Sequence, residues 1–188
     1  MTTQRFRTLI DRAYLEEEAH RIRWRKTLDF VADSVGSGAA PHKGLDLGDR
    51  TALTDSLERL LGCPFENTAI DLDTQRLTGS FGVVTAFEVL EHLYNPLHLM
   101  LEVNRLLKEC DGRLFVSMPL WKPAFLASPD HFHEMTRPEA LALFDRAGFR
   151  VERSAQFRIR RPLFYLTGLK PLLRGWYEKV QIYELLVM

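Results

Sequence analysis

The residues best suited to chemistry fall in two short polar clusters. Glu88, Glu91 and His92 lie where the apolar run of residues 82–89 gives out. Further along, Asp130-His131-Phe132-His133-Glu134 sits in a stretch that Pro123, Pro129 and Asp130 mark as a loop. Histidine titrates near neutral pH, so His131 and His133 suit general-base work. On an extended backbone the two would face the same side. They could hold a ligand, act as a base or, with Glu134, bind a metal ion. The plainer alternative is a pair of structural histidines bonded to backbone carbonyls. Two histidines and one carboxylate this close in sequence seldom complete a metal site, so no metal is expected.

The elements that must position these groups are readable from periodicity. Residues 82–89 are β-branched and aromatic, as in a buried strand. After Asn95-Pro96 a helix follows, with Leu97, Met100, Leu101, Asn104, Leu107 and Lys108 on its stripe and Val103 off it. Asp111-Gly112 stops the helix, residues 113–118 form another apolar strand, and Pro119 closes it. Two buried strands joined by a helix of this length make a βαβ unit in a parallel sheet. Open sheets of that kind bind ligands at the carboxyl ends of their strands, which is where Glu88, Glu91 and His92 stand.

Upstream, residues 44–47 read as a strand and residues 68–72 as a second short one. Between them Thr51 or Thr54 caps a helix running through Leu57, Leu60 and Leu61, which Gly62 ends. Residues 6–35 read as one or two helices, with Phe6, Leu9, Ile10, Ala13 and Tyr14 on one face and Trp24, Leu28, Val31 and Val35 on another. Arg21, Arg23, Arg25 and Lys26 around Trp24 read as a solvated face. Helices alternating with strands predict a doubly wound α/β domain.

At 188 residues the chain suits one domain. Its net charge of zero gives no general pull toward nucleic acid, and no nucleic-acid partner is expected. Cys63 and Cys110 lack metal or redox spacing and read as reduced thiols of a cytoplasmic protein. No stretch has the length and apolarity of a membrane span. A G-x-G-x-x-G fingerprint and a phosphate-binding loop are both missing, which argues against nicotinamide and nucleotide-triphosphate chemistry.

FEVLEHLYNP followed by LLKECDGRLFVSMP resembles the fourth strand, next helix and fifth strand of the class I S-adenosylmethionine-dependent methyltransferases. KGLDLG at residues 43–48 resembles their first strand and cofactor loop, and TRPEALALFDRAGFRV at 136–151 their late helix and following strand. The resemblance spans roughly residues 40–155. It implies a Rossmann-like, mostly parallel sheet with an N-terminal helical extension. Residues 149–159 and 180–188 would be an antiparallel pair at one edge. The implied division is a single domain, with helices to residue 35, a core at 40–155, an insertion at 156–179 and a last strand at 180–188.

One helix–strand pair is shortened or missing, because residues 71–81 leave no room for it. Either the third strand is lost or, with residues 68–73 as the third, the second is. The resemblance further implies S-adenosylmethionine as cofactor, with Asp46 and Gly48 in the glycine loop, Asp71 (or Asp73) on the ribose, and Phe87 and Glu88 beside it. Arg50 and Ala52 stand where the family has glycines, and Arg50 must point away from the cofactor or occupy its site. His131 and His133 would line the acceptor pocket. The implied reaction is methyl transfer to a small-molecule, lipid or glycan acceptor. The alternative is an inactive methyltransferase fold serving as a scaffold. Finally, Arg153, Arg158, Arg160, Arg161, Lys170 and Arg174 alternate with apolar bulk through residues 153–177. That pattern suits peripheral contact with an anionic amphiphile or membrane through 156–177, or an insertion packed on the sheet.

Overall fold

Gly44, Leu45 and Asp46 begin a sheet whose six strands follow the order β2-β1-β3-β4-β6-β5. The structure, a computed structural model, describes residues 18–34 and 41–188. Its elements are α1 (Glu18–Ala32), β1 (Gly44–Asp46), α2 (Ala52–Leu61), β2 (Phe65–Asn67), β3 (Val83–Phe87), α3 (Pro96–Lys108), β4 (Arg113–Pro119), α4 (Arg137–Arg146), β5 (Phe149–Phe157), α5 (Leu169–Tyr177) and β6 (Val180–Val187). Strands β2, β1, β3 and β4 are mutually parallel, and β6 runs antiparallel between β4 and β5. The face expected from Phe6 to Tyr14, and Val35, lie outside the described residues.

Alternation along the strands builds a core on each side of the sheet. Val84, Ala86, Leu114, Val116, Met118, Tyr183 and Leu185 face α3 and α4. Val83, Phe115 and Ile182 face the other way, where Phe30 and Val31 of α1 and Leu53 and Leu57 of α2 cover them. Each fully buried side chain of this size contributes about 1.5–3 kcal/mol. Local signals set the helix ends. Thr51 and Thr54 form a reciprocal capping box on α2, and Gly62 ends it in a left-handed conformation. The Asn95 side chain accepts from His98 N–H at the start of α3, with Pro96 in its first turn.

Three expectations need correction. Val103 lies on the buried stripe of α3 with Leu99, Met100, Leu106 and Leu107, whereas Leu101 is half exposed. The apolar residues fit two stripes one position apart, and packing against β3, β4 and β6 selects the other one. Arg23 is not on a solvated face, because its guanidinium pairs with Glu88 at 3.0 Å. The second strand is Phe65–Asn67, not residues 68–72. Phe65 lays its ring against Gly44, where a Cβ would collide with it, and this sets the register of β2 on β1. Ile70 and Leu72 do pack against the core, but from a loop. Their alternation with acids marks anchoring points of that loop.

Because no strand lies between β2 and β3, the third strand of the family pattern is the one absent, and β2 is an edge. Phe65 turns its N–H and C=O outward, away from β1. The N–H donates to Glu58 Oε1 at 2.8 Å and the C=O accepts from Arg50 at 3.2 Å. Arg50 also pairs with Glu58 and Asp55. Side chains from α2 and the loop before it thus occupy the hydrogen bonds a third strand would have made. Exchange of the Phe65 amide in Glu58→Ala, read by hydrogen–deuterium exchange, is expected to quicken roughly tenfold or more, with the Leu114 amide in the sheet centre unchanged.

Candidate active site

The loop after β1 begins with a buried carboxylate. Asp46 accepts from Thr54 Oγ1 at 2.5 Å and from Thr85 Oγ1 at 2.6 Å, which joins β1 to α2 and β3. Burial pushes the Asp46 carboxyl above its usual pKa, although these hydrogen bonds favour the charged form. Gly48 follows at φ +111°, and a Cβ there would meet nothing within 4 Å. Its N–H donates to Thr68 Oγ1 at 2.8 Å, and its C=O accepts from Asn67 Nδ2 at 3.2 Å. The loop is therefore braced by the end of β2 and open beside Gly48. Arg50 is held on the outer edge by Glu58 and Asp55, so it does not fill that space. A glycine in a left-handed conformation beside open space fits a bound S-adenosylmethionine, whose approach to the backbone requires it.

Asp71 lies four positions past the end of β2. Its carboxylate accepts from Asp73 N–H and Thr74 Oγ1, each at 2.9 Å, closing a turn. Asp73 accepts from Asn95 N–H at 2.7 Å and ties that turn to the start of α3. Phe87 ends β3 half-buried. Glu88 follows at φ 57°, a left-handed conformation uncommon for a side chain of this size. Its carboxylate accepts from Ser117 Oγ at 2.9 Å and pairs with Arg23. Helix α1 is thereby fastened to the carboxyl ends of β3 and β4. Its far end is fixed by Ser34, whose hydroxyl donates to the buried Glu184 at 2.5 Å, and by Arg153, which reaches Glu184 at 2.7 Å.

Beyond Glu88, residues Leu90–His92 form one short 3-10 turn. Glu91 is 1% exposed, and neither carboxylate oxygen has a hydrogen-bonding partner. Burial first, then the neighbouring Glu88 carboxylate, pushes its pKa well above the usual value. The Glu91 backbone carbonyl accepts from the N–H groups of Phe132 and His133, at 2.7 and 3.3 Å, which brings the second polar cluster onto the first. The His92 and His131 rings meet edge to face, 4.9 Å between centroids. His131 Nδ1 is 2.7 Å from Glu134 Oε1, which also pairs with Lys122 at 2.9 Å. Burial works against the Glu134 carboxylate, but the bonds from His131 and Lys122 prevail and hold its pKa below the usual range. Burial lowers His92.

His131 and His133 do not share a side, because the chain bends at Phe132. His131 turns toward Glu91 and His92, whereas His133 Nε2 lies 3.4 Å from the Tyr94 carbonyl. Sequence reading singled out Asp46, Gly48, Asp71, Phe87, Glu88, His131 and His133. Arg23, Asn67, Thr68 and Lys122 escaped it, because they reach the site from α1, the end of β2 and the loop after β4, and none belongs to a local motif.

The sequence matches the methyltransferase domain family across residues 14–154. No protein of curated function matches it. Among solved structures it is similar to the methyltransferase crystallised with the Haloferax volcanii Trm112 methyltransferase activator, at 13% identity, covering 96% of this chain and 99% of that one, with a TM-score of 0.66. It is also similar to the N-methyltransferase NodS of Bradyrhizobium japonicum, solved with S-adenosylhomocysteine (14%, 92% and 89%, 0.63). A third is the Burkholderia thailandensis 1,6-didemethyltoxoflavin-N1-methyltransferase, solved with bound 1,6-didemethyltoxoflavin and S-adenosylhomocysteine (15%, 94% and 81%, 0.59). At these identities the structural likeness establishes the fold.

The Asp46 knot underlies the loop, which leads to a specific expectation. Thr85→Val keeps the side-chain shape and removes one donor to a buried carboxylate. It should cost about 1–3 kcal/mol in chemical denaturation and weaken S-adenosylhomocysteine binding in calorimetry, with the sheet intact by circular dichroism.

Proposed function

Because the chain belongs to the methyltransferase domain family and is an S-adenosylmethionine-dependent methyltransferase, we propose that it methylates an oxygen of an amphiphilic small-molecule or lipid acceptor delivered at the carboxyl edge of the sheet. The observation that carries this reading is where the exposed apolar side chains lie. Pro119 and Phe157 both pair with Val180, so the insertion between β5 and β6 leaves the sheet at the same edge as the loops after β1, β3 and β4. Tyr94, Trp121, Phe125 and Phe132 are exposed on those loops, and Leu163, Leu166, Leu169, Leu172 and Trp176 on the insertion. None of the described side chains of α5 is buried. Apolar surface gathered at one edge, with Arg158 beside it and Arg160 and Arg161 paired with Glu178 and Glu18, suits an amphiphile or membrane surface. Among the described residues no helix is long and apolar enough to cross a membrane.

S-adenosylmethionine, when bound, supplies a methyl group already activated on a sulfonium. The protein's task is then chiefly to align the acceptor and to manage its proton. In this reading the backbone around Gly48 takes the cofactor and Glu88, neutralised in part by Arg23, lies beside it. Asp71 receives the ribose hydroxyls, since each of its oxygens keeps a lone pair beyond the turn bond it already accepts. His131, oriented by Glu134, faces the acceptor's reacting oxygen and takes or shares its proton. His133 and Phe132 belong to the rim over which the acceptor enters.

Sedimentation with phosphatidylglycerol vesicles tests the acceptor reading. The wild-type chain should co-sediment, and Leu172→Glu combined with Trp176→Glu should weaken the association roughly tenfold or more, since each inserted side chain contributes about 1.5–3 kcal/mol. Failure of the wild-type chain to bind such vesicles would remove the amphiphile from this proposal.

The ribose assignment has its own check. Asp71→Ala should weaken S-adenosylhomocysteine binding by about 1.5–3 kcal/mol in calorimetry, the range for a lost hydrogen bond to a charged group. Asp73→Ala, which loosens the tie to Asn95, should weaken it less. The reverse order would move the ribose to Asp73.

A further inference from the structure

Glu91, His92 and His131 bring one carboxylate oxygen and two imidazole nitrogens to within 4.8 Å of one another. The tautomers of both rings follow from their partners. His92 Nδ1 lies 2.9 Å from the Asp130 carbonyl and His131 Nδ1 2.7 Å from the Glu134 carboxylate. Neither partner can donate, so in the neutral form each ring carries its proton on Nδ1 and leaves Nε2 with a free lone pair. Metal-binding imidazoles are oriented in this manner, with the second nitrogen bonded to a carbonyl or carboxylate.

Glu91 is the independent sign of a ligand. It is nine-tenths buried and more, with no partner for either oxygen, although buried carboxylates are ordinarily paired or hydrogen-bonded. The charges around it do not supply one. Arg23 pairs with Glu88 at 3.0 Å, its buried Nε also lacking a partner, and Lys122 pairs with Glu134 at 2.9 Å, so neither cation hydrogen-bonds Glu91. We propose that Glu91, His92 and His131 bind a divalent transition-metal ion of the zinc type. Two imidazoles and a carboxylate suit such an ion better than magnesium or calcium, which favour oxygen ligands. Bonds of about 2.0–2.2 Å draw ligand atoms to roughly 3–4 Å apart, within reach of a small side-chain rotation from the present spacing.

Three protein ligands leave a coordination position open. Resting on the reading of an oxygen acceptor, that position takes the acceptor's hydroxyl, which then ionises more readily, its proton passing to bulk water. His131 would in that case act as a ligand and the cation would do the work assigned to a base.

Calorimetric titration of the chelator-treated full chain with zinc, and with cobalt followed by visible absorption, tests the site without any turnover. The expected result is one equivalent bound, with cobalt giving the absorption of a low-coordinate nitrogen–oxygen site. Glu91→Gln and His131→Ala should each weaken zinc at least tenfold, and His98→Ala on α3 should not. S-adenosylhomocysteine binding in the same variants should stay within about twofold, which separates loss of the metal from loss of the cofactor site. If Glu91→Gln does not fold, His131→Ala, whose ring is only partly buried, decides. No zinc binding by the wild-type chain, or equal binding by wild type and His131→Ala, would overturn the proposal. Either result would leave the vesicle experiment to judge the acceptor on its own.

Discussion

An edge strand exposes a row of backbone donors and acceptors, and the closure of that row at β2 governs the shape of the cofactor side of this sheet. With the third strand missing, Phe65 has an outward N–H and C=O to satisfy, and Glu58 and Arg50 do so. The two side chains also bond each other at 2.6 Å, and that bond raises the Arg50 pKa and lowers that of Glu58. Arg50 is therefore held outward by a carboxylate pair and a carbonyl together. A long cation at a position where the family has glycine looks like damage to the cofactor loop. Here it is the counterpart of a shorter sheet. The same contacts brace α2 against β2, so that Thr54 and Thr85 can meet at Asp46 and Asn67 and Thr68 can hold Gly48 from the other side.

How far the sequence revealed this depended on whether the signal was local. A cap at Thr51 or Thr54, Gly62, Asn95-Pro96 and the apolar strand that starts at residue 113 are set by neighbouring residues, and the structure has them where periodicity and capping place them. Choices between near-equal patterns were settled by packing. The α3 stripe shifted by one position because β3, β4 and β6 bury Val103 and not Leu101. The run Ala69 to Leu72 alternates as a strand does, yet Thr68 is drawn to Gly48 and Asp71 closes a turn, so the chain has already left the sheet. The role of Arg50 was invisible without knowing that β2 has no outer neighbour.

The candidate site divides along the same line. Gly48 and Glu88 follow strands whose carboxyl ends must meet at one edge of a parallel sheet, and that much is legible from topology. The meeting of His131 with Glu91 and His92 is not. It comes from two backbone N–H groups, of Phe132 and His133, that reach the Glu91 carbonyl across forty residues of chain and bend the loop at Phe132. Those bonds separate His131 from His133 and so divide a pair that an extended backbone would have kept together. Arg23 was hidden for a related reason, since a basic residue on a helix reads as solvated until the helix is known to cross a carboxylate.

These contacts also arrange polarity at the edge in two tiers. Glu88, Glu91, His92, His131 and Glu134 form a floor on the strand ends, joined through Ser117, Arg23 and Lys122. Tyr94 stacks on Phe132 at 4.1 Å directly after that floor in sequence, and Trp121 meets Tyr177 of α5 edge to face. Apolar rings therefore link the loops after β3 and β4 to each other and to the insertion, while the titratable groups stay beneath. A water-soluble acceptor gains little from such a rim, because exposed aromatic surface offers it no hydrogen bonds. The proposed amphiphilic acceptor would match both tiers together, with its apolar body against the rim and its head toward the imidazoles. In that proposed reading association and reaction draw on different residues, so apolar substitutions on α5 would change acceptor capture and leave the Asp46–Gly48 loop as it is.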